Sequence, residues 1–245
     1  MPKEYEIYKV KDKSDNTHVK KDLIFDLPMR IAICGRSLLS GKTNLLTNLM
    51  CREQFYLNDF EGENIYIISE SIHEDKKMKA IIDCKDIPEE NLFKKYNEEE
   101  LNSLFDVLEE EFINNEKQGI KNKHKLWIFD DIAHTGELKS HNYGVLSRVL
   151  FRGRHILLSV IFLTQKYSFI NTALRVNFSG LILFNTNNQE LELVEADHNY
   201  LKNKKQFLDM FRDNVSSNHS FLVINYSNPK DEMYMDNLFN KIVLN

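Results

Sequence analysis

Positions 41–43 read Gly-Lys-Thr, directly after a short apolar run and before a helix-like stretch. The segment 35–43 is Gly-Arg-Ser-Leu-Leu-Ser-Gly-Lys-Thr, and Leu45, Leu46 and Leu49 then recur at helical spacing. Backbone N–H groups of such a loop and of the helix N-terminus can bind phosphate oxygens. A strand, a loop ending in Gly-Lys-Thr and a helix are the context that a Walker A phosphate loop requires. The pattern therefore predicts a nucleotide-binding site.

The positions in this loop indicate which residues contact the nucleotide. Lys42 is expected to reach the β- and γ-phosphates, and Thr43 to provide a hydroxyl ligand for Mg²⁺. Five residues separate Gly35 from Gly41, where the standard motif has four, so either the loop is one residue longer or Arg36 occupies the first glycine position. The other expected nucleotide contacts in the loop are Ser37, Ser40 and Asn44.

Two adjacent carboxylates end a second apolar run, 125–131, which reads Lys-Leu-Trp-Ile-Phe-Asp-Asp. At this position, the Walker B position, Asp130 is expected to hold Mg²⁺ directly or through water. Asp131 is expected to polarise the attacking water. Because an Asp side chain is one methylene shorter than the Glu that many such ATPases carry, a nearby Glu such as Glu137 stays open as the alternative base.

A third apolar run, 158–163, ends in Thr164-Gln165. Gln165 is expected to contact the γ-phosphate or the attacking water, which is a sensor role. Arginine is suited to stabilising charge spread over a transferring phosphoryl group. Four arginines near this run are candidates for that second role, namely Arg148, Arg152, Arg154 and Arg175.

Short apolar runs must form the elements that position these side chains. They lie at 30–35, 64–69, 125–131, 158–164 and 180–184. Near-continuous hydrophobic runs of this length indicate strands buried on both faces of a parallel sheet. The helix-like stretches between them predict βαβ units and an α/β fold. The segment 70–124 is long for a simple crossover and is expected to carry extra helices at the edge of the sheet.

Helix and hairpin signals complete the predicted architecture. The clearest helix spans 97–117, where five apolar residues share one face and Asn97 with Glu100 predicts a capping box. A helical stretch is expected around 190–212. The runs 220–226 and 232–234, separated by the turn Asn228-Pro229, predict a β-hairpin that extends the sheet.

The composition is compatible with one large α/β domain. The chain has 245 residues, of which 42% are hydrophobic and 28% charged. The expected division is an N-terminal extension over 1–22, a core over 23–185, and a C-terminal helix and hairpin over 186–245. A net charge of -5 argues against wrapping nucleic acid over the whole surface.

The same sequence indicates the compartment. Cys34, Cys51 and Cys84 fit no disulfide framework or metal spacing, which is typical of a reducing, intracellular environment. The N-terminus has no secretory signal, and no apolar run approaches the roughly 18 residues of a transmembrane helix. Neither secretion nor a membrane partner is expected.

Three further segments, taken with the Walker motifs, resemble a known family. They are 152–155 (Arg-Gly-Arg-His), 159–167 and 174–177 (Leu-Arg-Val-Asn). Together they resemble the poxvirus-type genome-packaging ATPases of the FtsK–HerA superfamily, which occur in large DNA viruses and virophages. The resemblance covers about residues 30–184. It implies a RecA-like additional-strand P-loop core, ATP and Mg²⁺ as cofactors, and location in the host cell cytoplasm (the viral factory) or the virion.

The resemblance also implies partners and residue roles. Members of the family are thought to form homo-oligomeric rings that drive double-stranded DNA into a preformed capsid, so a capsid portal or vertex protein is an expected partner. It makes Gln165 the sensor and puts an arginine finger among the four arginines. Arg36 is similar to an arginine in the phosphate loop of terminase-type motors, which can act in cis.

Several questions stay open at the level of the sequence. Basic segments at 20–21, 121–125 and 202–205 are candidates for DNA contact, although runs of charge are usually solvated surfaces. A small-molecule kinase would use the same phosphate loop, and a related DNA pump or helicase would share every residue named above. A non-hydrolysing nucleotide switch is a further alternative, against which Lys42, Asp130 and Asp131 count.

Overall fold

Runs of buried apolar residues form the strands, as their sequence pattern predicts. The computed structural model describes residues 24–36, 40–132 and 144–243. The five central strands are buried along their whole length except at Arg30, and each lies within one residue of its predicted bounds. The strands are β1 (Arg30–Cys34), β2 (Ile65–Ser69), β3 (Leu92–Phe93), β4 (Lys125–Asp130), β5 (Leu158–Thr164), β6 (Gly180–Phe184), β7 (Phe221–Asn225) and β8 (Tyr234–Met235).

Helices connect most of these strands. They are α1 (Lys42–Cys51), α2 (Lys76–Lys85), α3 (Glu98–Gln118), α4 (Val145–Arg152), α5 (Thr172–Arg175), α6 (Asn188–His198) and α7 (Lys204–Asn214). The predicted helix at 97–117 is α3. The Asn97 side chain accepts hydrogen bonds from the N–H groups of Glu99 and Glu100, and Gly119 in the left-handed region ends the helix.

The strand order in the sheet is β3-β2-β4-β5-β1-β6-β7-β8. Along this order, neighbouring strands are parallel from β3 through β2, β4, β5 and β1 to β6. Strands β7 and β8 add an antiparallel hairpin, as predicted. Strand β5 lies between β1 and β4, which is the additional-strand arrangement that the resemblance implies. The carboxyl ends of β1, β5 and β4 therefore meet at one edge of the sheet, where the candidate catalytic residues follow.

Alternate residues of each central strand contribute to different hydrophobic clusters on the two faces of the sheet. In β4, Trp127 and Phe129 belong to the cluster that includes residues of α3, α4, α6 and α7. Leu126 and Ile128 belong to the cluster that includes residues of α1 and α2. Helices thus cover both faces, which explains why the strands show no polar alternation in the sequence.

Two features differ from the sequence-based expectation. The prediction of a single helical stretch around 190–212 is wrong, because α6 and α7 are separate helices. Asn199 accepts a hydrogen bond from the Leu201 N–H, and Asn203 accepts one from the Gln206 N–H as the N-cap of α7. The side chains thus occupy the N–H groups of Leu201 and Gln206, which in a continuous helix would bind carbonyl groups four residues earlier. The segment 70–124 carries the expected helices and also β3, an edge strand that was not predicted.

The remaining segments fall into two groups. Residues 186–243 add β7 and β8 to the same sheet as the core. The predicted N-terminal extension, Ser37 and Glu137 lie outside the described residues. None of the helices in the described ranges combines the length and the apolar character needed to span a membrane.

Candidate functional site

The segment between β1 and α1 makes close backbone contacts at its glycines. The Gly35 N–H donates to the Thr164 carbonyl at 3.1 Å. A Cβ atom at Gly35 would lie 2.7 Å from the Cβ atoms of both Phe184 and Ser40, closer than carbon atoms pack. Gly41 has a φ of 86°, in the left-handed region that glycine adopts readily. The steric requirement for glycine thus falls at Gly35, which favours a loop one residue longer than the standard motif.

Lys42 lies over this loop. Its Nζ donates to the Gly35 carbonyl at 2.7 Å and to the Arg36 carbonyl at 3.5 Å. Partial burial lowers the pKa of Lys42, and the carboxylates of Asp130 and Asp131 oppose that shift. The ammonium group therefore lies within the electrostatic influence of both predicted Walker B residues.

The other predicted loop contacts surround the start of α1. Lys42, Thr43 and Asn44 form its first turn, where backbone N–H groups have no partner within the helix. The Ser40 hydroxyl donates to the Arg36 carbonyl at 2.6 Å, which holds the two ends of the loop together. The main-chain groups of this turn are thus available to bind an anion.

Asp130 ends β4 and is buried, with 8% of its surface exposed. The Ser69 hydroxyl donates to its Oδ2 at 2.9 Å, because β2 pairs with β4 in a register that sets Ser69 beside Asp130. Burial raises the pKa of Asp130, and the Ser69 hydrogen bond offsets part of that shift. The sequence analysis missed Ser69, although a hydroxyl residue at the end of the run 64–69 was the available signal.

Gln165 and Asp131 meet at the ends of β5 and β4. The Gln165 Nε2 lies 3.2 Å from both carboxylate oxygens of Asp131. The Asp131 N–H donates to the Leu163 carbonyl at 3.2 Å, and its φ of 51° is unusual for a residue with a side chain. Such backbone conformations cluster at functional sites, where the surrounding structure maintains them. Four residues selected from the sequence, Lys42, Asp130, Asp131 and Gln165, thus lie at one edge of the sheet.

The donor atoms of the site fit a magnesium ion bound together with phosphates. Thr43 offers a hydroxyl and Asp130 a carboxylate, and Mg²⁺ prefers such hard oxygen ligands. Within the described part of the chain, no group of three or more His, Cys, Asp or Glu side chains could hold a metal ion without other ligands. A protein site that shares Mg²⁺ with phosphates needs only one or two carboxylates, and this site has one beside the phosphate loop.

Two of the candidate arginines connect α4 to α3. Arg148 donates to Asp106 and Glu109 and stacks over the Phe105 ring at 4.4 Å. Arg152 donates to Glu109 as well. Both residues belong to the helix that precedes the amino end of β5. In a parallel sheet, this end is opposite the edge that carries Lys42.

The other two candidates have different surroundings. Arg175 is buried, with an ion pair to Asp197 at 2.6 Å, a hydrogen bond to Thr172 at 2.8 Å and a stacking contact over Tyr167. Arg154 is exposed, and its Nε lies 3.4 Å from the His155 Nε2. It also precedes the amino end of β5. Arg154, just before the amino end of β5, therefore lies away from the phosphate-loop edge of its own chain, and the side chains of Arg148 and Arg152 are held by α3.

Several lysines of the predicted basic segments form ion pairs. Lys123 pairs with Glu61 and Glu63, the buried Lys125 pairs with Glu111 at 3.2 Å, and Lys204 pairs with Glu192 at 3.0 Å. Lys202 and Lys205 are exposed at the start of α7. Lys20 and Lys21 lie outside the described residues. Within the described segments, Lys202 and Lys205 are therefore better suited to contact DNA phosphates than the buried Lys125.

Comparison with solved structures indicates the same fold. The genome packaging NTPase B204 from Sulfolobus turreted icosahedral virus 2, in complex with AMP, aligns over 88% of this chain and 98% of that chain, with a TM-score of 0.57 and 13% identity. Its complex with ATP-gammaS aligns over the same shares, with a TM-score of 0.56 and 14% identity. B204, the DNA-packaging ATPase from Sulfolobus Turreted Icosahedral Virus, aligns over 88% of this chain and 98% of its own, with a TM-score of 0.57 and 14% identity.

Comparison at the level of sequence gives the family. No curated protein sequence matches this chain significantly. The family model described as Poxvirus A32 protein matches residues 16–239, which is most of the chain. The resemblance to poxvirus-type packaging ATPases is thereby confirmed, and the chain belongs to the Poxvirus A32 protein family.

Proposed function

We propose that this protein is an ATP-hydrolysing motor that moves double-stranded viral DNA into a preformed capsid. The observation that carries the proposal is the contact of Gln165 with Asp131 beside Lys42 and Asp130, at one edge of a parallel sheet. Membership of the Poxvirus A32 protein family supports it. A fold shared with a genome packaging NTPase of another virus supports it as well.

The phosphate loop would bind the triphosphate of ATP. Lys42 would exchange the neutral carbonyl of Gly35 for phosphate oxygens, since hydrogen bonds between charged groups are about twice as strong as neutral ones. Backbone N–H groups of Gly41 and the first turn of α1 would contact the same phosphates. Mg²⁺ held through Thr43 and Asp130 would neutralise negative charge on the β- and γ-phosphates.

Asp131 and Gln165 would act on the attacking water. The Gln165 amide donates to the Asp131 carboxylate, and this contact fixes the direction in which the carboxylate points. Asp131 can then orient a water molecule in line with the γ-phosphate and accept its proton. Gln165 would also lie beside the departing phosphate, so it could transmit the loss of phosphate to the segment that follows β5.

A second copy of the chain would complete the charge stabilisation. Arg154 is exposed and lies away from its own phosphate-loop edge, so it can act only on the nucleotide of a neighbouring subunit in a homo-oligomeric ring. An arginine supplied in this way accelerates phosphoryl transfer by about 10³-fold or more. The exposed Arg36, at the start of the phosphate loop, is the candidate that would act in cis.

The proposed DNA contact requires only backbone recognition. A motor that moves any sequence needs a few lysines or arginines on phosphates, and the exposed Lys202 and Lys205 provide two. A net charge of -5 does not prevent such a local contact. A capsid portal or vertex protein would hold the ring at the capsid.

Steady-state ATP hydrolysis by the purified chain, with and without double-stranded DNA at low salt, tests the proposal. We expect DNA to stimulate hydrolysis and added salt to remove the stimulation steeply. Lys42→Ala should lower the rate by about 10³-fold, because it removes a charge that stabilises the transition state. The matched control is Lys79→Ala, which changes an exposed lysine of α2 and should leave the rate unchanged.

Other outcomes would favour the alternatives. Hydrolysis that depends on a small-molecule acceptor and ignores DNA would indicate a kinase. ATP binding without turnover would indicate a nucleotide switch. DNA-stimulated turnover that never fills purified capsid precursors would indicate a DNA pump unrelated to packaging.

A further inference from the structure

A cavity of about 600 Å³ opens beside the phosphate loop, and the chemistry proposed above does not use it. Ser40 and Gly41 line one side, and Asn44 and Asn48 of α1 line another. The segment that follows β8 contributes Phe239. The volume is within the roughly 300–1,000 Å³ that is usual for small-molecule sites. The phosphate loop is therefore one wall of a larger space.

Four phenylalanine rings line this cavity as a continuous series. Phe184 and Phe221 have ring centroids 5.1 Å apart, Phe221 and Phe239 5.7 Å apart, and Phe239 and Phe55 5.5 Å apart. The series begins at the phosphate loop, because the Phe184 Cε1 would lie 3.9 Å from a Cβ atom built on Gly41. Flat aromatic surfaces of this kind favour the face of another planar ring.

The polar groups of the cavity suit an anionic ligand with hydrogen-bonding edges. Its titratable lining residues are Arg52, Lys77 and His219, all of which are basic. The amide side chains of Gln54 and Asn237 each offer a donor and an acceptor. His219 also touches the phosphate loop, since its Nδ1 would lie 3.3 Å from a Cβ atom on Gly41.

We propose that this cavity binds the base and ribose of the nucleotide, with a purine ring against the partly exposed Phe239 and its edge facing the amides of Gln54 and Asn237. The inference rests on the proposed binding of the triphosphate at Lys42. It makes the segment after β8 part of the nucleotide site, far from the Walker motifs in sequence. A purine offers a larger stacking surface than a pyrimidine, so ATP and GTP should bind more tightly than CTP and UTP.

Calorimetric titration with ATP and with inorganic tripolyphosphate tests the assignment. In Phe239→Ala, the affinity for ATP should fall about tenfold, because one base–aromatic stacking contact contributes about 1–3 kcal/mol. The affinity for tripolyphosphate should stay unchanged, since that ligand has no base. Phe239→Leu keeps apolar volume while removing the ring, and it should show the same selective loss if Phe239→Ala folds poorly.

Phe112→Ala is the matched control. Phe112 is also a half-buried phenylalanine, but it packs against the cluster on the opposite face of the sheet. This variant should bind both ligands as the wild-type protein does. Equal losses for ATP and tripolyphosphate in Phe239→Leu, or no loss for either, would overturn the base site. A change of oligomeric state in Phe239→Leu with unchanged ATP affinity would overturn it too, and would indicate a subunit contact.

Failure of the proposed function would look different. In that case the wild-type protein would bind neither ATP nor tripolyphosphate, and Lys42→Ala would change nothing. If instead the wild-type protein binds tripolyphosphate as tightly as ATP, the phosphate loop is functional and the base site alone is refuted.

Discussion

Two polar clusters each include a residue just after the end of β5, and they differ in how their charged groups are compensated. The first is the catalytic site proposed above, with Lys42, Asp130, Asp131 and Gln165. The second, which we call the Arg175 cluster, consists of Tyr167, Arg175, Asp197 and His198. Gln165 and Tyr167 belong to the same short segment, so the two clusters are neighbours along the chain.

Most polar groups of the Arg175 cluster bind one another, although the buried Arg175 Nε has no hydrogen-bond partner among the described residues. Arg175 pairs with Asp197 at 2.6 Å, and the Tyr167 hydroxyl lies 3.0 Å from Asp197 and 2.6 Å from the His198 Nε2. The Arg175 guanidinium also stacks over the Tyr167 ring at 4.8 Å. Polar networks of this kind stabilise a fold when their members are hydrogen-bonded, because a buried polar group without a partner is destabilising.

The catalytic site holds its charged groups less favourably. Burial raises the pKa of Asp130 and lowers the pKa of Lys42, so in both residues burial disfavours the ionised form. A bound nucleotide with its metal ion would supply the opposite charges. The Arg175 cluster thus pairs its charged groups within the fold, whereas the proposed catalytic site keeps charges that a bound ligand would compensate, at a cost in stability.

The largest expected effect is on folding, from Arg175→Ala. Arg175→Ala removes the hydrogen bonds and the stacking contact of a buried guanidinium, while the partly exposed Asp197 carboxylate stays accessible to water, so the free energy of unfolding should fall by about 3–4 kcal/mol. Urea unfolding followed by circular dichroism measures this change. The matched control is Arg212→Ala, because Arg212 is exposed and lies 3.8 Å from Asp209. It should change stability by less than about 0.5 kcal/mol.

The result also bears on the arginine finger. If Arg175→Ala left stability unchanged and abolished ATP hydrolysis, Arg175 would belong to the catalytic machinery and the contrast between the two clusters would fail.

A smaller effect is expected from the titration of His198. Burial is the main cause that lowers the pKa of His198 from 6.5 to about 4; Asp197 opposes the shift and Arg175 adds to it. Between these two pKa values the unfolded chain binds a proton that the folded chain does not. The stability from neutral His198 is therefore complete above pH 6.5 and is lost as the pH falls towards 4. The loss should reach up to about 3 kcal/mol.

Thermal unfolding of the wild-type protein and of His198→Gln at several pH values measures this effect. The variant cannot titrate at this position, so its melting temperature should fall less steeply with acidification. Parallel curves for the two proteins would show that His198 is not the group that titrates.

The sequence predicted the parts of the fold that depend on local patterns. The five buried runs became strands because residues buried on both faces leave a continuous apolar signal. The phosphate loop was predicted because a strand, Gly-Lys-Thr and a helix follow one another, and the Asp130-Asp131 pair because it ends a strand downstream of that loop. Gln165 was predicted from its position after a strand.

Tertiary contacts determine the features that the sequence did not predict. Ser69 is important because β2 pairs with β4 in a particular register, and no local pattern gives that register. His219 lies beside the phosphate loop, and Phe239 lines the cavity next to it, only when β7 and β8 join the sheet. The break between α6 and α7 depends on side-chain caps at Asn199 and Asn203, which a helical periodicity does not show. For the same reason, a single sequence cannot distinguish Arg148, which binds α3, from Arg154, which is exposed.

The smallest expected effect is an increase in stability. It tests whether the buried charge of the proposed catalytic site destabilises the fold. Asp130→Asn replaces a carboxylate whose pKa is raised by burial with a neutral group of the same shape. The Ser69 hydroxyl can still donate to the new amide oxygen. Because the folded pKa is raised, the folded state binds more protons than the unfolded state just above the unfolded pKa of about 3.9, and stability falls as the pH rises through this range.

Asp130→Asn should therefore be more stable than the wild-type protein at pH 7, by about 1 kcal/mol. The difference should disappear below about pH 4, where Asp130 itself is protonated in both states. Urea unfolding at the two pH values measures it, and ATP hydrolysis by the variant should be lost. Asp209→Asn is the control, since Asp209 is half exposed on α7 and its substitution should leave stability nearly unchanged. A loss of stability in Asp130→Asn at pH 7 would mean that the catalytic carboxylate contributes to folding, as Asp197 does in the Arg175 cluster.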